Sequence, residues 1–132
     1  MTETERIAET GRIATILLVE DEDDLRQTIR EVIAEEGYTV AEAVNGAEAL
    51  AYLEQRPAPC LVLLDLMMPV VNGFELLERM RAHPRLKDIP VLVISALARQ
   101  RLEETVAKGT AVGYLTKPLQ LKALLGAVDQ YC

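Results

Sequence analysis

The feature that most restricts the fold of this chain is the alternation of short apolar runs with amphipathic helical patterns. Five runs are apolar either throughout or at every second residue, and each is followed by apolar residues at the spacing of one helix face. The predicted strands are residues 15–19, 39–43, 60–64, 91–94 and 111–115. Because such strands need cover on both faces, the sequence predicts an α/β fold, a doubly wound parallel sheet with five helices.

Composition and charge narrow the class of protein. The 132 residues suffice for one domain, and 50% of them are apolar, which is typical of a folded chain. A formal net charge of −7 disfavours direct nucleic-acid binding, because phosphates are bound by clustered Lys and Arg. No apolar run is long enough for a membrane span, and acids stand where a signal peptide is basic. We therefore expect a cytoplasmic protein without membrane contact.

The sequence predicts a single domain with a short leading segment. Residues 1–14 are interpreted as a polar extension, and residues 15–132 as the domain, which ends with the fifth helix and has no output domain after it. Two cysteines, Cys60 and Cys132, form neither a disulfide framework nor a metal-ligand spacing. We predict that both are free thiols.

Polar side chains stand where four of the predicted strands end. Glu20 and Asp21 follow the first strand, Asp65 the third, Ser95 the fourth and Lys117 the fifth. The carboxyl ends of parallel strands meet at one edge of a sheet, where ligands of such folds bind. Alone, each side chain could be an ordinary loop acid, hydroxyl or surface lysine. Their coincidence at four strand ends predicts a functional site.

Local signals mark where three helices begin. Asn45, followed three residues later by a glutamate, predicts a capped second helix. The pair Asn72-Gly73 precedes a helical pattern, so a hairpin turn is not expected there. Asp23 and Asp24 could merely cap the first helix, which is an alternative to a role in the site.

The predicted cluster of carboxylates points to a metal. Close carboxylates repel unless a cation joins them, and oxygen ligands without His or Cys suit Mg²⁺. A Mg²⁺ ion beside a carboxylate, a lysine and a hydroxyl is suited to phosphoryl transfer, in which a carboxylate can be the nucleophile. The sequence therefore predicts Mg²⁺ as the cofactor and Asp65, in the middle of the group, as the phosphoryl acceptor.

Four segments carry a family resemblance. In this order and spacing, "ILLVEDEDDLR", "LVLLDLMMPVVNGFELL", "PVLVISA" and "GYLTKP" resemble the receiver domain of two-component response regulators, over about residues 14–131. The resemblance implies a flavodoxin-like sheet of strand order 2-1-3-4-5. It also implies a signalling switch that catalyses only its own phosphorylation and dephosphorylation. A sensor histidine kinase or phosphotransfer protein would be the phosphoryl donor.

The resemblance assigns metal ligands residue by residue. Glu20 and Asp21 look like the acidic pair that holds Mg²⁺ together with Asp65, and Met67 looks like the residue whose backbone carbonyl binds it. Many receivers have Asp at the first acidic position, so the longer Glu20 leaves open whether that ligand binds directly or through water.

The resemblance also assigns the switch. Ser95 and Lys117 would bind the phosphoryl oxygens, and Ser95 with Tyr114 would then change the surface of helix 4, strand 5 and helix 5. A cis peptide bond is implied between Lys117 and Pro118. Leu119 stands where many receivers have Phe, and "GTAVGY" departs from the usual residues before the tyrosine, so the sequence does not identify the downstream partner.

Two other functions remain as alternatives. A Mg²⁺-dependent aspartate-nucleophile phosphatase generally has a second Asp two residues after the nucleophile, where this chain has Met67. A phosphate-independent pseudo-receiver would be expected to lack the acceptor, the lysine or the acids, and none is missing. Met67 and Leu97 are also the residues that, in receivers, flank the path of attacking water, and both are apolar here. We therefore expect slow self-dephosphorylation.

Overall fold

A computed structural model of the protein describes residues 14–68, 70–109 and 111–132, so most of the predicted amino-terminal extension lies outside it. Five strands and five helices alternate. The strands are β1 (Thr15–Val19), β2 (Thr39–Ala43), β3 (Leu61–Asp65), β4 (Val91–Ser95) and β5 (Gly113–Thr116). The helices are α1 (Asp23–Glu35), α2 (Gly46–Gln55), α3 (Gly73–Ala82), α4 (Arg99–Ala107) and α5 (Leu121–Tyr131). Within these ranges no helix combines the length and the apolarity needed to cross a bilayer.

The five strands form one parallel sheet in the order β2-β1-β3-β4-β5, which confirms the predicted fold. The chain builds the sheet outward from β1 to β2, returns to place β3 on the other side of β1, and continues to β5. The direction of winding therefore reverses between β1 and β3. Ligands of doubly wound sheets bind outside the carboxyl ends of the strands at this reversal.

The core lies on both faces of the sheet because alternate residues of each central strand point to opposite sides. In β1, Leu17 and Val19 pack with α2, α3 and α4, whereas Ile16 and Leu18 pack with α1 and α5. All five residues of β3 are buried. This double cover explains why the sequence shows continuous apolar runs rather than a polar alternation.

Helix starts agree with the local signals at two of three places. The side chain of Asn45 accepts a hydrogen bond from the Glu48 amide, and Asn72 forms a capping box with Glu75 at the start of α3. At α1 the cap position is Glu22, which makes no side-chain capping bond, and Asp23 is already helical. The alternative in which Asp23 or Asp24 caps α1 is therefore wrong.

The prediction of two free thiols is also wrong. Cys60 and Cys132 form a disulfide, with Cα atoms 5.5 Å apart and 72 positions of sequence between them. Cys60 directly precedes β3 and Cys132 directly follows α5. The two cysteines meet only because α5 packs back along the sheet, which no spacing along the chain reveals.

Candidate functional site

The side chains singled out at the strand ends do meet at one edge of the sheet. Glu20 follows β1, Asp65 and Ser95 are the last residues of β3 and β4, and Lys117 follows β5. β1, β3, β4 and β5 are consecutive neighbours in the sheet, so their carboxyl ends lie side by side. The fold thereby brings residues nearly a hundred positions apart into one group.

Three carboxylates of this group lie close together. Oxygens of Glu20, Asp21 and Asp65 are all within 4.8 Å of one another. Glu20 and Asp65 are only 2% and 4% exposed, whereas Asp21 is exposed. Two carboxylates are thus held away from water, and the third faces it.

Burial has a direct effect on Glu20. Desolvation raises the pKa of Glu20 from its ordinary 4.5 to about 7, and the charge of Asp65 acts in the same direction. Hydrogen bonds from the Glu22 amide and from Lys117 lower that pKa but do not cancel the effect of burial. A carboxylate that is costly to ionise near neutral pH is a group that a bound cation would stabilise.

Lys117 lies between the two buried acids. Its Nζ is 3.0 Å from Oε1 of Glu20 and 3.4 Å from Oδ2 of Asp65. Burial alone lowers the pKa of Lys117, but the hydrogen bond to Glu20 and the negative charges of Asp65 and Glu20 outweigh it, so the pKa is raised. The lysine is therefore a fixed positive charge beside Asp65. The predicted cis bond between Lys117 and Pro118 is confirmed.

The second oxygen of Asp65 is held by the backbone. The Met67 amide donates to Asp65 Oδ1 at 3.1 Å, while the Met67 side chain is 58% exposed. The loop that follows is fixed at its far end, where the Gly73 amide donates to the Leu66 carbonyl. A Cβ atom on Gly73 would lie 2.6 Å from the Asp65 carbonyl oxygen, so the start of α3 packs directly against the backbone of Asp65.

Ser95 is fully buried at the end of β4. Its Oγ accepts a hydrogen bond from the Leu97 amide at 3.1 Å, and its carbonyl accepts one from the Lys117 amide at 2.9 Å. A hydroxyl that already accepts can still donate its proton. Ser95 is therefore a hydrogen-bond donor fixed between the β3 and β5 ends of the site.

Tyr114 lies apart from the carboxylates. It is half-buried on β5, packs against the core on the α4 side, and its hydroxyl donates to Glu103 Oε1 on α4 at 3.3 Å. The structure thus places this residue between β5 and α4, where it contacts the surface predicted to change rather than the acids themselves.

Arg26 is a site neighbour that the sequence reasoning missed. Its Nη1 donates to the backbone carbonyl of Glu20 at 2.9 Å, and the same guanidinium pairs with Asp23 at 2.6 Å and Glu42 at 3.3 Å. Arg26 therefore links the turn that contains Glu20 and Asp21 to two other elements, to α1 through Asp23 and to β2 through Glu42. The signal available in the sequence was the spacing of three residues between Asp23 and Arg26 on one helix face.

The donor set fits Mg²⁺. The ion prefers oxygen ligands and is usually held by a few carboxylates, with water completing its shell. Glu20, Asp21 and Asp65 supply three carboxylates at one point, and one of them opens to solvent. Among the described residues no His or Cys joins this group, which disfavours softer transition metals.

Comparison with known proteins agrees with this geometry. The family model described as response regulator receiver domain matches residues 16–129. An uncharacterized 14.6 kDa protein of Leptolyngbya boryana is 38% identical over 117 residues, covering 89% of this chain and 88% of its own length. The polar-differentiation response regulator DivK of Brucella anthropi is 29% identical, over 89% of this chain and 94% of its own.

Solved structures show the same fold. The receiver domain of the Francisella response regulator 1452 superposes with a TM-score of 0.82 at 28% identity, covering 89% of this chain and 95% of that one. The chemotaxis protein CheY4 of Vibrio cholerae superposes with a TM-score of 0.81 at 30% identity, covering 92% of this chain and all of that one.

Proposed function

Because the chain belongs to the response regulator receiver family, whose members are signalling modules of two-component systems, we propose that it is switched by a phosphoryl group on Asp65. The observation that carries this proposal is the arrangement of a buried carboxylate, a lysine and two further acids at the strand ends. We take residues 15–132 as the receiver domain and 1–14 as its extension.

The proposed donor is a phosphohistidine of a sensor histidine kinase or phosphotransfer protein. An Asp65 oxygen attacks phosphorus, the new O–P bond forms as the P–N bond breaks, and the histidine nitrogen takes the electron pair. Asp65 is suited to this role because its Oδ1 is held by the Met67 amide and its Oδ2 faces Lys117. Both contacts fix the nucleophile before a donor arrives, which lowers the cost of orientation.

The charge that develops on the phosphoryl oxygens needs partners at the same edge. Lys117 is close enough to move its ion pair from Asp65 to a phosphoryl oxygen, and the Ser95 hydroxyl can donate to another. When bound, Mg²⁺ neutralises part of this charge. Glu20, Asp21 and Asp65 would hold the ion, with the Met67 carbonyl as a further ligand.

The proposed output is a change in the surface of α4, β5 and α5. Ser95 ends β4 and pairs with Thr116 of β5, so a shift of its hydroxyl toward the phosphoryl group acts at the junction of these strands. Tyr114, on the same strand, holds α4 through Glu103. A shift in the β4–β5 junction would therefore bias the contact between Tyr114 and α4, and a downstream protein would recognise the result.

A phosphatase is less well supported. The residue two positions after Asp65 is Met67, whose exposed side chain has no proton to exchange. The family match is to a signalling module rather than to a hydrolase.

The test is incubation of the purified chain with acetyl phosphate and Mg²⁺, followed by intact mass. We expect one added phosphoryl group in the parent, none in Asp65→Asn, and normal labelling in the exposed control Asp88→Asn. Labelling of Asp65→Asn at the parent's level would contradict Asp65 as the acceptor. Continuous release of inorganic phosphate without accumulation of the modified mass would favour the phosphatase.

A further inference from the structure

The Cys60–Cys132 disulfide joins the carboxyl end of α5 to the beginning of β3. β3 runs from Leu61 to Asp65, so the disulfide lies at the opposite edge of the sheet from the carboxylates, roughly 15 Å away along the strand. It is therefore outside the site described above and has no part in the chemistry proposed for Asp65.

Noncovalent contacts hold the rest of α5 in place. Leu124 and Val128 are fully buried against α1 and the sheet, and the Tyr38 hydroxyl donates to Asp129 at 3.0 Å. The body of α5 thus has its own packing. Loss of the disulfide is expected to loosen the last turn of the helix rather than to unfold the domain.

The last turn of α5 also contacts the segment leading into β5. The Tyr131 hydroxyl donates to the Val112 carbonyl at 3.2 Å, one residue before β5 begins. Cys132 is the next residue after Tyr131, so the disulfide restrains the same turn. Whether the disulfide is formed therefore affects the beginning of β5, whereas Lys117 follows the end of that strand.

Both cysteines are only half-buried as residues, and we expect a thiolate from solvent or from another protein to reach the disulfide. The sequence predicts a cytosolic chain, and in reducing compartments disulfides are mostly transient or regulatory. These observations together favour a reversible bond over a permanent one.

We propose that Cys60 and Cys132 form a reversible redox site that latches the last turn of α5 against the sheet. Oxidation forms the Cys60–Cys132 bond from two thiols, which lose two protons and two electrons. The oxidant is a disulfide, either of a low-molecular-weight thiol or of a thiol–disulfide oxidoreductase, and it is reduced to two thiols. This inference does not depend on Asp65 being a phosphoryl acceptor.

The first measurement is a redox titration of the full chain. The protein is equilibrated in buffers that run from oxidised to reduced glutathione, free thiols are trapped by alkylation, and intact mass counts them. We expect one transition between zero and two alkylated cysteines, the same from both directions and the same in Asp65→Asn. A chain that stays oxidised in reduced glutathione, or stays reduced in oxidised glutathione, contradicts a reversible site.

The second measurement tests the latch. Closing a loop of 72 positions is expected to raise the midpoint of thermal unfolding by roughly 10 °C in the oxidised chain. Hydrogen exchange should become faster on reduction in the last turn of α5 and at Val112, while the strand ends at Asp65 and Ser95 stay protected. Exchange that does not differ between the two states, or that rises no more in the last turn of α5 and at Val112 than in the rest of the domain, contradicts a local latch.

The matched controls are Cys60→Ser and the double variant Cys60→Ser with Cys132→Ser. The double variant has no thiol to alkylate and should match the reduced parent in thermal unfolding and hydrogen exchange in every buffer. Cys60→Ser keeps one thiol, which can form only a mixed disulfide with glutathione, and it should likewise lack the stabilisation of the oxidised parent. Circular dichroism should show that both variants are folded. If these variants do not fold, the alkylation and exchange measurements on the parent still decide the proposal. Labelling by acetyl phosphate is measured in both redox states of the parent, so that a failure of the phosphorylation proposal is seen separately.

Discussion

Replacing Glu20 by Gln should make the metal-free protein more stable at alkaline pH. Glu20 is 2% exposed, and its ionised form is paired with Lys117 but also lies beside Asp65. Gln has nearly the same shape and cannot be ionised. The variant therefore removes the cost of a buried charge while it keeps the packing.

The size of the effect follows from the pKa of Glu20, which is about 7 in the folded chain against an ordinary 4.5. Because the native state binds this proton more tightly than the unfolded state does, the contribution of Glu20 to stability falls as pH rises from 4.5 to 7. Each pH unit in this interval lowers the free energy of unfolding by about 1.4 kcal/mol. By pH 8 the free energy of unfolding of the parent should be roughly 3 kcal/mol lower than that of Glu20→Gln. Near pH 4.5 the two free energies should be equal.

Urea unfolding of both proteins in EDTA, from pH 4.5 to pH 8, measures this difference directly. The matched control is Glu22→Gln, two residues along and exposed, which should stay within about 0.5 kcal/mol of the parent at every pH. Saturating Mg²⁺ at pH 8 should stabilise the parent more than Glu20→Gln, since only the parent keeps the full set of ligands. Equal stability of parent and variant across the whole range would refute the argument that burial dominates at Glu20.

Two further changes test the loop after Asp65. Gly73→Ala should destabilise the chain by about 1–3 kcal/mol and impair labelling by acetyl phosphate, because the added methyl group would meet the backbone at Asp65 and Leu66. The control is Gly126→Ala, in open space on α5, which should stabilise the chain slightly. Urea unfolding of the two variants measures both effects. The double variant Met67→Asn with Leu97→Glu should lose its phosphoryl group faster than the parent after the donor is removed, since polar side chains can orient the attacking water. Decay of the modified mass at an unchanged rate would show that apolar occlusion does not set the lifetime.

Local and repeating features of the fold were readable from the sequence. The continuous or alternating apolar runs predicted five strands, because a sheet face that is covered by helices must be apolar, and β1 and β2 have the predicted bounds. β3 and β5 begin later than predicted, by one and two residues. The amides of Cys60 and Val112 each donate one hydrogen bond to the neighbouring strand, but the paired register begins only at Leu61 and Gly113. The cap at Asn45 depends on neighbours three residues away, which a sequence window contains.

The meeting of Asp65, Ser95 and Lys117 was also predictable, because parallel strands end at a common edge once their type is known. The strand order itself came from the family resemblance, since adjacency in a sheet depends on packing between distant segments. The resemblance likewise assigned Tyr114 to a switch, although only the structure showed its contact with Glu103.

The sequence by itself determined which residues are apolar, where α2 and α3 begin and which chemical groups stand at strand ends, because these depend on neighbours along the chain. The tertiary structure decided the rest. The raised pKa of Glu20 arises from burial and from charges delivered by other strands, and Arg26 reaches the Glu20 carbonyl only across the turn between β1 and α1. The pairing of Cys60 with Cys132 depends on α5 packing beside β3, so chain spacing alone indicated two separate thiols where the fold makes one bond.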